Sequence, residues 1–253
     1  MKTLQKSTFA KIFGLASAFA CLPAAAQTSV PTDTWSYEIT PYFWATAARA
    51  DVNTRLFGTQ KFDVPFSDLA SALDFGAMGS FEARKGRWGG VMDVQYVKLG
   101  ATNSPVFAPF TDLNITYEQQ IWTLAGFYRL AEGPVLVDVL GGARYLYVKT
   151  DLDVTSIFTP VGPSRRDSKG WWDGVVGVRA QYPLDAKWSL LGYVDVGSGG
   201  SNMSWQAIAG ANYRYSKDTT VKFGYRYFSF DRDDAPVGKA SLGGPYVGLG
   251  FKF

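Results

Sequence analysis

Two carboxylates, Glu82 and Asp93, fall on neighbouring predicted strands and could act as a general acid and a general base. The chain contains no histidine, which excludes nucleophile–histidine pairs and histidine metal sites and leaves carboxylate chemistry. Arg84 follows Glu82 on the same face of its strand and would neutralise the pair. We therefore expect structural ion pairs here, and no enzyme activity, metal or cofactor.

Charged side chains recur at alternate positions along most of the chain, opposite apolar residues. Such alternation places one residue type on each face of a β-strand. The acids and bases of the polar face balance, and enclosed charges must be paired or hydrated. We predict a polar lumen, either tied together by ion pairs or open as a narrow pore for small solutes. Its predicted members are Glu38, Glu82, Arg84, Asp93, Glu118, Asp138, Arg144, Asp173, Arg179, Asp195, Arg214, Lys222 and Arg226.

The alternating segments predict about ten strands, with about eight or about twelve as alternatives. In the first segment, Pro41 lies on the apolar face and lacks an N–H, which predicts a weak pairing point. In the segment from 113 to 130, Ile121, Ala125 and Phe127 are predicted to face outward and Glu118 inward.

The connections between the segments fall into two classes. Short turns lie near residues 86, 132, 184 and 218, and longer links lie near 60, 106, 160, 200 and 236. The first link is predicted to hold a hairpin over 52–64 and a short helix over 67–73, with Ser67 as its N-cap, that caps or plugs one mouth. Strict alternation of short and long connections is typical of a membrane barrel whose short turns share one end.

The first 26 residues read as a cleaved secretory signal peptide, with the mature domain spanning 27–253. Lysines precede an apolar run from Ile12 to Leu22, and Ala24 to Ala26 supplies a cleavage site. Removing the three leader lysines brings the net charge from +3 to zero, so the sequence predicts no nucleic-acid binding. The only cysteine, Cys21, leaves with the leader, so no disulfide is expected.

The chain ends on a strand whose apolar face consists of Val247, Leu249, Phe251 and Phe253. This ending resembles the recognition signal of Gram-negative outer-membrane β-barrels. Together with the alternation and the asymmetric connections, it resembles the small proteobacterial outer-membrane β-barrel proteins, a family with many uncharacterised members. The resemblance covers nearly the whole mature chain and includes no site motif.

The resemblance implies a closed antiparallel transmembrane β-barrel in the outer membrane of a Gram-negative bacterium, with short periplasmic turns and long extracellular loops. Its expected contacts are outer-membrane lipid, lipopolysaccharide, periplasmic chaperones and the barrel assembly machinery, and a monomer is expected. The predicted function is an integral barrel without catalytic activity, structural or a narrow small-solute channel. A surface-binding or adhesin-type barrel acting through its long loops is the alternative.

Overall fold

The computed structural model describes residues 33–54, 58–101, 111–156, 164–232 and 238–253. The predicted signal peptide over residues 1–26 lies outside these ranges. The described elements are β1 Ser36–Trp44, β2 Ala47–Thr54, β3 Gly58–Val64, α1 Phe66–Ser71, β4 Leu73–Lys85, β5 Trp88–Ala101, β6 Thr111–Glu132, β7 Leu136–Ser156, β8 Ser164–Pro183, β9 Trp188–Gly199, β10 Met203–Arg214, β11 Thr219–Asp231 and β12 Lys239–Lys252.

The strands form a closed antiparallel β-barrel. Strands β4 to β12 pair in chain order, and β1 joins β4 to β12 and closes the cylinder. Strands β1 and β2 occupy one position in the wall, because β1 pairs with the segment 246–252 of β12 and β2 with the segment 239–243. The wall therefore has ten positions, which confirms the predicted fold class and strand number.

Alternate side chains of each strand enter the lumen, and the others point outward. On β8, for example, Asp173 and Arg179 are buried, whereas Trp172 and Val176 are each 63% exposed. The polar face lies inside, where water or ion pairs can satisfy it, and the apolar face lies outside. This is the arrangement that the alternating sequence predicts for nine of the ten wall positions.

Strand β6 faces the opposite way from the prediction. Ile121 and Phe127 are buried in the lumen, whereas Trp122 and Leu124 are exposed on the outside. By the same alternation, Glu118 lies on the outer face, so its assignment to the lumen was wrong. Both faces of this strand carry large apolar residues, and polarity alone does not distinguish the two orientations.

Two rings of outward-facing aromatic residues lie near the two ends of the barrel. The ring near the short turns contains the contacting pairs Trp88–Tyr128 and Trp188–Tyr213, and the ring near the other end contains Tyr145–Trp172 and Trp205–Tyr227. Trp205 and Tyr213 are eight residues apart on β10, a rise of about 27 Å along the strand, or about 20 Å of height at a tilt of about 40°. This height is close to that of the apolar band of membrane barrels.

The four short turns join the strands at one end, at residues 86–87, 133–135, 184–187 and 215–218. At the other end, the link between β9 and β10 was predicted to be long and flexible, and this is wrong. It comprises only residues 200–202, and Gly199 before it has a φ of +143°, a conformation that glycine adopts without strain. The Asp173 carboxylate accepts hydrogen bonds from the Ser201 N–H at 2.7 Å and the Ser204 hydroxyl at 2.8 Å, which fixes this turn.

The link between β1 and β4 contains a hairpin and a helix, as predicted, but with different bounds. The hairpin pairs β2 with β3, and α1 follows with Pro65, not Ser67, at its N-cap. The helix does not plug the lumen, because none of its side chains is buried and Phe66 packs against the outward-facing Phe43 at 6.3 Å between ring centroids. Within the described ranges, no helix has the length and hydropathy required to span a membrane.

The wall has a seam between β1 and β4. Their pairing runs from Ser36–Arg84 to Pro41–Gly79 and ends there, and Leu73–Met78 of β4 pair with β5 alone. Proline has no N–H with which to extend the ladder, and the strand itself is interrupted soon afterwards, at residues 45–46 between β1 and β2. The seam lies at the level of the aromatic ring far from the short turns. At this level Ala77 pairs with Tyr96, which is eight residues from Trp88 of the other ring on β5.

We expect the seam to exchange amide hydrogens faster than the rest of the wall. Alternate amides of Leu73–Met78 have no strand partner on the β1 side, whereas Val91–Val97 of β5 are paired on both sides. Hydrogen exchange of the folded protein in micelles, read residue by residue, checks this. Uniform protection across both segments would show that the wall is closed by pairing at that level.

Candidate functional site within the barrel lumen

The lumen is filled by three successive layers of side chains. Nearest the short turns lies an ionic layer around Asp138, above it a second ionic layer around Arg226 and Arg144, and beyond that an apolar layer. A cavity opens below the first layer at the short-turn end. Each layer draws its members from several strands, so closure of the barrel is what assembles it.

The first layer surrounds the buried carboxylate of Asp138. Arg129 donates to its Oδ1 at 2.7 Å, while Arg179 and Arg84 donate to its Oδ2 at 2.8 and 3.1 Å. Glu82 accepts from Arg179 at 2.5 Å and from Arg84 at 3.2 Å. Three guanidinium groups thus hold two carboxylates, and each carboxylate has cationic donors on its oxygens.

Phe127 completes this layer from β6. The guanidinium carbons of Arg84 and Arg179 lie 4.5 and 4.7 Å from the centroid of its ring. A ring face attracts cations in a site with little water. An apolar residue inside the lumen is therefore matched to its surroundings, which explains why β6 can turn this side inward.

A second group of the same layer centres on Glu38. Its Oε1 accepts a hydrogen bond from Lys222, which also donates to Thr40 at 3.1 Å, and Lys252 lies 3.8 Å from Oε2. Gly250 on β12 leaves room for this pair, since a Cβ there would lie 3.1 Å from both Glu38 Oε1 and Lys222 Cε. Gly250 thus faces the lumen charges.

The second layer contains a network around Arg226. This guanidinium donates to Asp93 at 2.8 Å, to the Tyr42 hydroxyl at 2.7 Å and to Gln206 at 2.9 Å. Tyr42 in turn donates to Asp93 at 3.0 Å, and Gln95 donates to the same carboxylate at 3.1 Å. Asp93 and Glu82 therefore belong to different networks, each engaged by arginine, and they do not form the pair that acid–base chemistry requires.

The most enclosed ion pair of the described structure joins Arg144 and Asp195. The two side chains are 0% and 1% exposed, and the Nη2–Oδ2 distance is 2.6 Å. Arg144 also donates to Thr123 at 3.1 Å, and Tyr193 donates to Asp195 at 2.6 Å. Arg144 Nη1 and Asp195 Oδ1 have no hydrogen-bond partner, so each charge depends strongly on the other.

The apolar layer closes the lumen beyond these charges. Trp171 packs on Phe230 at 5.4 Å between ring centroids, and Phe228 packs on Phe230 at 6.3 Å. All three are at most 5% exposed. A layer of this kind offers no polar partners to water or ions. Its buried members are Trp44, Ile121, Leu146, Val148, Trp171, Phe228, Phe230 and Ala240.

The structure places most of the predicted lumen residues inside. Asp173 differs in role, because it organises the β9–β10 turn, and Glu118 lies outside. Inside are Glu38, Glu82, Arg84, Asp93, Asp138, Arg144, Arg179, Asp195, Lys222 and Arg226 in the ionic layers, and Arg214 beside the cavity.

The sequence interpretation missed Arg129 and the whole apolar layer. Arg129 shares the alternate positions of Ile121 and Phe127, so its charge could have indicated that this face of β6 is the enclosed one. The apolar layer gives no such signal, because Trp171 and Phe228 look like lipid-facing residues in the sequence. Among the described residues, no cluster of three or more Asp, Glu, His or Cys is arranged to hold a metal ion.

The cavity at the short-turn end has a volume of about 250 Å³. The first ionic layer borders the inner end of the cavity, and the turn at residues 184–187 forms part of its rim. In this turn Asp185 accepts backbone hydrogen bonds from Lys187 at 2.6 Å and Trp188 at 2.8 Å, which lower the pKa of Asp185. The carboxylate of this rim residue is therefore committed to its own turn.

The last strand presents its predicted apolar face outward. Val247, Leu249, Phe251 and Phe253 are all exposed. Phe253 exchanges two backbone hydrogen bonds of 3.1 Å with Tyr37, and the rings of the two residues stack at 5.7 Å. The terminal residue thus completes the pairing of β12 with the first strand.

No protein family model matches the chain, and no protein of curated function matches it in sequence. Solved structures with a similar course of the chain include the outer membrane protease OmpT of Escherichia coli, at 9% identity and a TM-score of 0.48, over 87% of this chain and 97% of that one. The attachment invasion locus protein Ail of Yersinia pestis is 15% identical, with a TM-score of 0.39, over 87% and 98%. A major outer membrane protein of Thermus thermophilus gives the same four values.

Proposed function

We propose that this chain is an integral outer-membrane β-barrel of a Gram-negative bacterium, without catalytic activity, whose lumen is closed by its own side chains. The observation that carries the proposal is the combination of an apolar exterior between two aromatic rings with a filled interior. On this proposal the barrel is structural in the state described, and solutes do not cross it.

The exterior supports the membrane assignment. Large apolar side chains are exposed around the barrel between the aromatic rings, including Leu124, Val176 and Val194. Soluble monomers rarely expose a contiguous apolar surface of this extent. In a bilayer the same residues contact acyl chains, and closure of the wall leaves few unpaired backbone groups to the lipid.

The interior supports the assignment of a closed barrel over a narrow channel. Wide aqueous channels belong to barrels with more strands, whereas small barrels are filled by side chains. Here an ion would have to displace Phe228, Phe230 and Trp171 after passing two layers of paired charges. A narrow channel would therefore need a rearrangement of the apolar layer.

The absence of catalysis is supported by the chemistry of the lumen. The sequence has no histidine, and both candidate carboxylates, Glu82 and Asp93, are engaged by arginine side chains. A general base needs a free lone pair within reach of a substrate proton. Arginine pairing and burial work against this role for both residues.

The surface-binding alternative depends on connections that lie outside the described residues, at 102–110, 157–163 and 233–237. It stays a prediction. We also propose that the exposed face formed by Val247, Leu249, Phe251 and Phe253 is read by the barrel assembly machinery after delivery by periplasmic chaperones. Lipid and lipopolysaccharide would then surround a monomer.

Two tryptophans, one on each face of the wall, test which face contacts lipid. Trp122 points outward, whereas Trp171 lies in the lumen. We expect brominated acyl chains to quench a variant that keeps only Trp122, and to leave a variant that keeps only Trp171 nearly unquenched. Equal quenching of both variants, each folded in vesicles, would contradict the assignment of the two faces.

A further inference from the structure

We propose that the cavity at the short-turn end of the lumen binds a small oxyanion, either a phosphate or a carboxylate. This site borders the first ionic layer, which contributes Glu38, Glu82, Arg84, Lys222 and Lys252 to its wall, and adds Lys187 and Arg214 from the rim. The proposal does not depend on whether the lumen conducts, because it rests on the residues that line the cavity.

The cavity has more cations than acids in its wall. Five basic side chains line it, against the three acids Glu38, Glu82 and Asp185. The basic residues are Arg84, Lys187, Arg214, Lys222 and Lys252.

The three acids are already engaged by other groups. Glu82 accepts from Arg179 and Arg84, and Glu38 accepts from Lys222 with Lys252 close by. Asp185 accepts from two backbone N–H groups of its own turn. Glu82 and Glu38 therefore each have two cationic neighbours already, and Asp185 has only a longer-range interaction with Lys187.

Two of the cations, Lys187 and Arg214, have no acidic partner within salt-bridge distance in the described part of the chain, although the charge of Lys187 acts on Asp185 from a longer distance. They are adjacent, because the Arg214 N–H donates to the Lys187 carbonyl at 2.8 Å. In addition, Arg84 in the cavity wall has a buried Nη1 without a hydrogen-bond partner. The two cations without an acidic partner therefore lie on the β9–β10 side of the cavity, and Arg84 lies across the barrel on β4.

This arrangement selects the ligand class. A guanidinium binds a carboxylate or a phosphate through two parallel hydrogen bonds, and a neighbouring ammonium adds a point charge. A cavity of about 250 Å³ has room for inorganic phosphate or a short dicarboxylate together with water. Neutral sugars would gain nothing from the uncompensated charges, and cations would be repelled.

The test is a calorimetric titration of the folded, micelle-bound protein with inorganic phosphate and, separately, with succinate. We expect saturable binding of at least one of them with a Kd of about 1 mM or tighter. Arg214→Gln is expected to weaken this binding about tenfold, since it removes a charge-assisted contact. Arg214→Lys keeps the charge but loses the two parallel N–H donors of the guanidinium, so its affinity for the anion should lie between those of Arg214→Gln and the unmodified protein.

Two variants with the same loss of charge serve as controls. Lys217→Gln lies at the same end outside the cavity, and Lys239→Gln lies at the opposite end. Both should bind within about twofold of the unmodified protein. Heat-dependent gel mobility verifies that each variant is folded. Absence of saturable binding by both anions, or an equal loss in Arg214→Gln and Lys217→Gln, would overturn the proposal.

Discussion

Replacing Arg144 by methionine is expected to lower the free energy of unfolding by about 3–5 kcal/mol, the usual cost of breaking a buried ion pair. The substitution keeps most of the apolar stem but removes the cation that pairs with the enclosed carboxylate of Asp195. Tyr193 at 2.6 Å still donates to this carboxylate, but no cation would remain within salt-bridge distance. Urea-induced unfolding of the protein in vesicles, followed by tryptophan fluorescence, measures the change.

The double variant Arg144→Met with Asp195→Leu separates the charge effect from packing. When both partners become apolar, the desolvation cost of the lone carboxylate disappears, so we expect most of the lost stability to return. A double variant that is as unstable as Arg144→Met alone would mean that shape, and not the uncompensated charge, causes the loss. This comparison of single and double variants therefore tests whether the surroundings of Arg144 and Asp195 exclude water, as the low exposed fractions of the two side chains indicate.

Replacing Leu124 by arginine is expected to cost about 2–4 kcal/mol in a bilayer. Leu124 is 64% exposed on the outer face and pairs with Met92. Met92 is midway between Trp88 and Tyr96, which belong to the two aromatic rings, so the arginine would lie near the centre of the membrane. At a water-exposed position the same change usually alters stability by less than about 0.5 kcal/mol.

Leu130→Arg is the matched control on the same strand. Leu130 is exposed as well, but it follows Tyr128 of the ring near the short turns, where arginine costs about 0–1 kcal/mol. Unfolding in vesicles should therefore distinguish the two variants. Equal and small effects at both positions would show that the exposed apolar face is not embedded in lipid.

The sequence predicts those parts of this fold that depend on local alternation. The last part of β12 is an example, since Val247, Leu249 and Phe251 alternate with Gly248 and Gly250, and Gly250 faces the lumen beside Glu38. The short turns were found as well, because their residues interrupt the alternation. The prediction assigned the two faces of β6 the wrong way round. Leu124 on the outer face and Ile121 in the lumen are both strongly apolar, so the sequence does not distinguish them.

The sequence does not predict which charged residues pair with each other, because the pairs form only when the barrel closes. Arg179 and Glu82 are separated by 97 residues, and Lys222 and Glu38 by 184. Each pair meets across the lumen once every strand has its register, and no local pattern encodes that meeting. The sequence shows that enclosed charges must balance, but the partner of each charge follows from the geometry of the cylinder.

The tight β9–β10 turn illustrates the same limit. A run of glycine and serine predicts a flexible link when its surroundings are unknown. In the folded chain, Asp173 of β8 binds Ser201 and Ser204, and the Trp171 indole donates to the Ser201 hydroxyl at 2.7 Å. Asp173, which was predicted to be a lumen residue, thus fixes the conformation of the turn between β9 and β10.

Current through the folded protein in a planar lipid bilayer tests the central claim most directly, namely that the lumen is closed by its own side chains. Insertion is verified first, by the shift in gel mobility between unheated and heated samples from the same membranes. We expect a flat trace over the whole range of applied voltage, because the layer formed by Trp171, Phe228 and Phe230 leaves no path for ions. Reproducible conductance steps from the unmodified protein would contradict it.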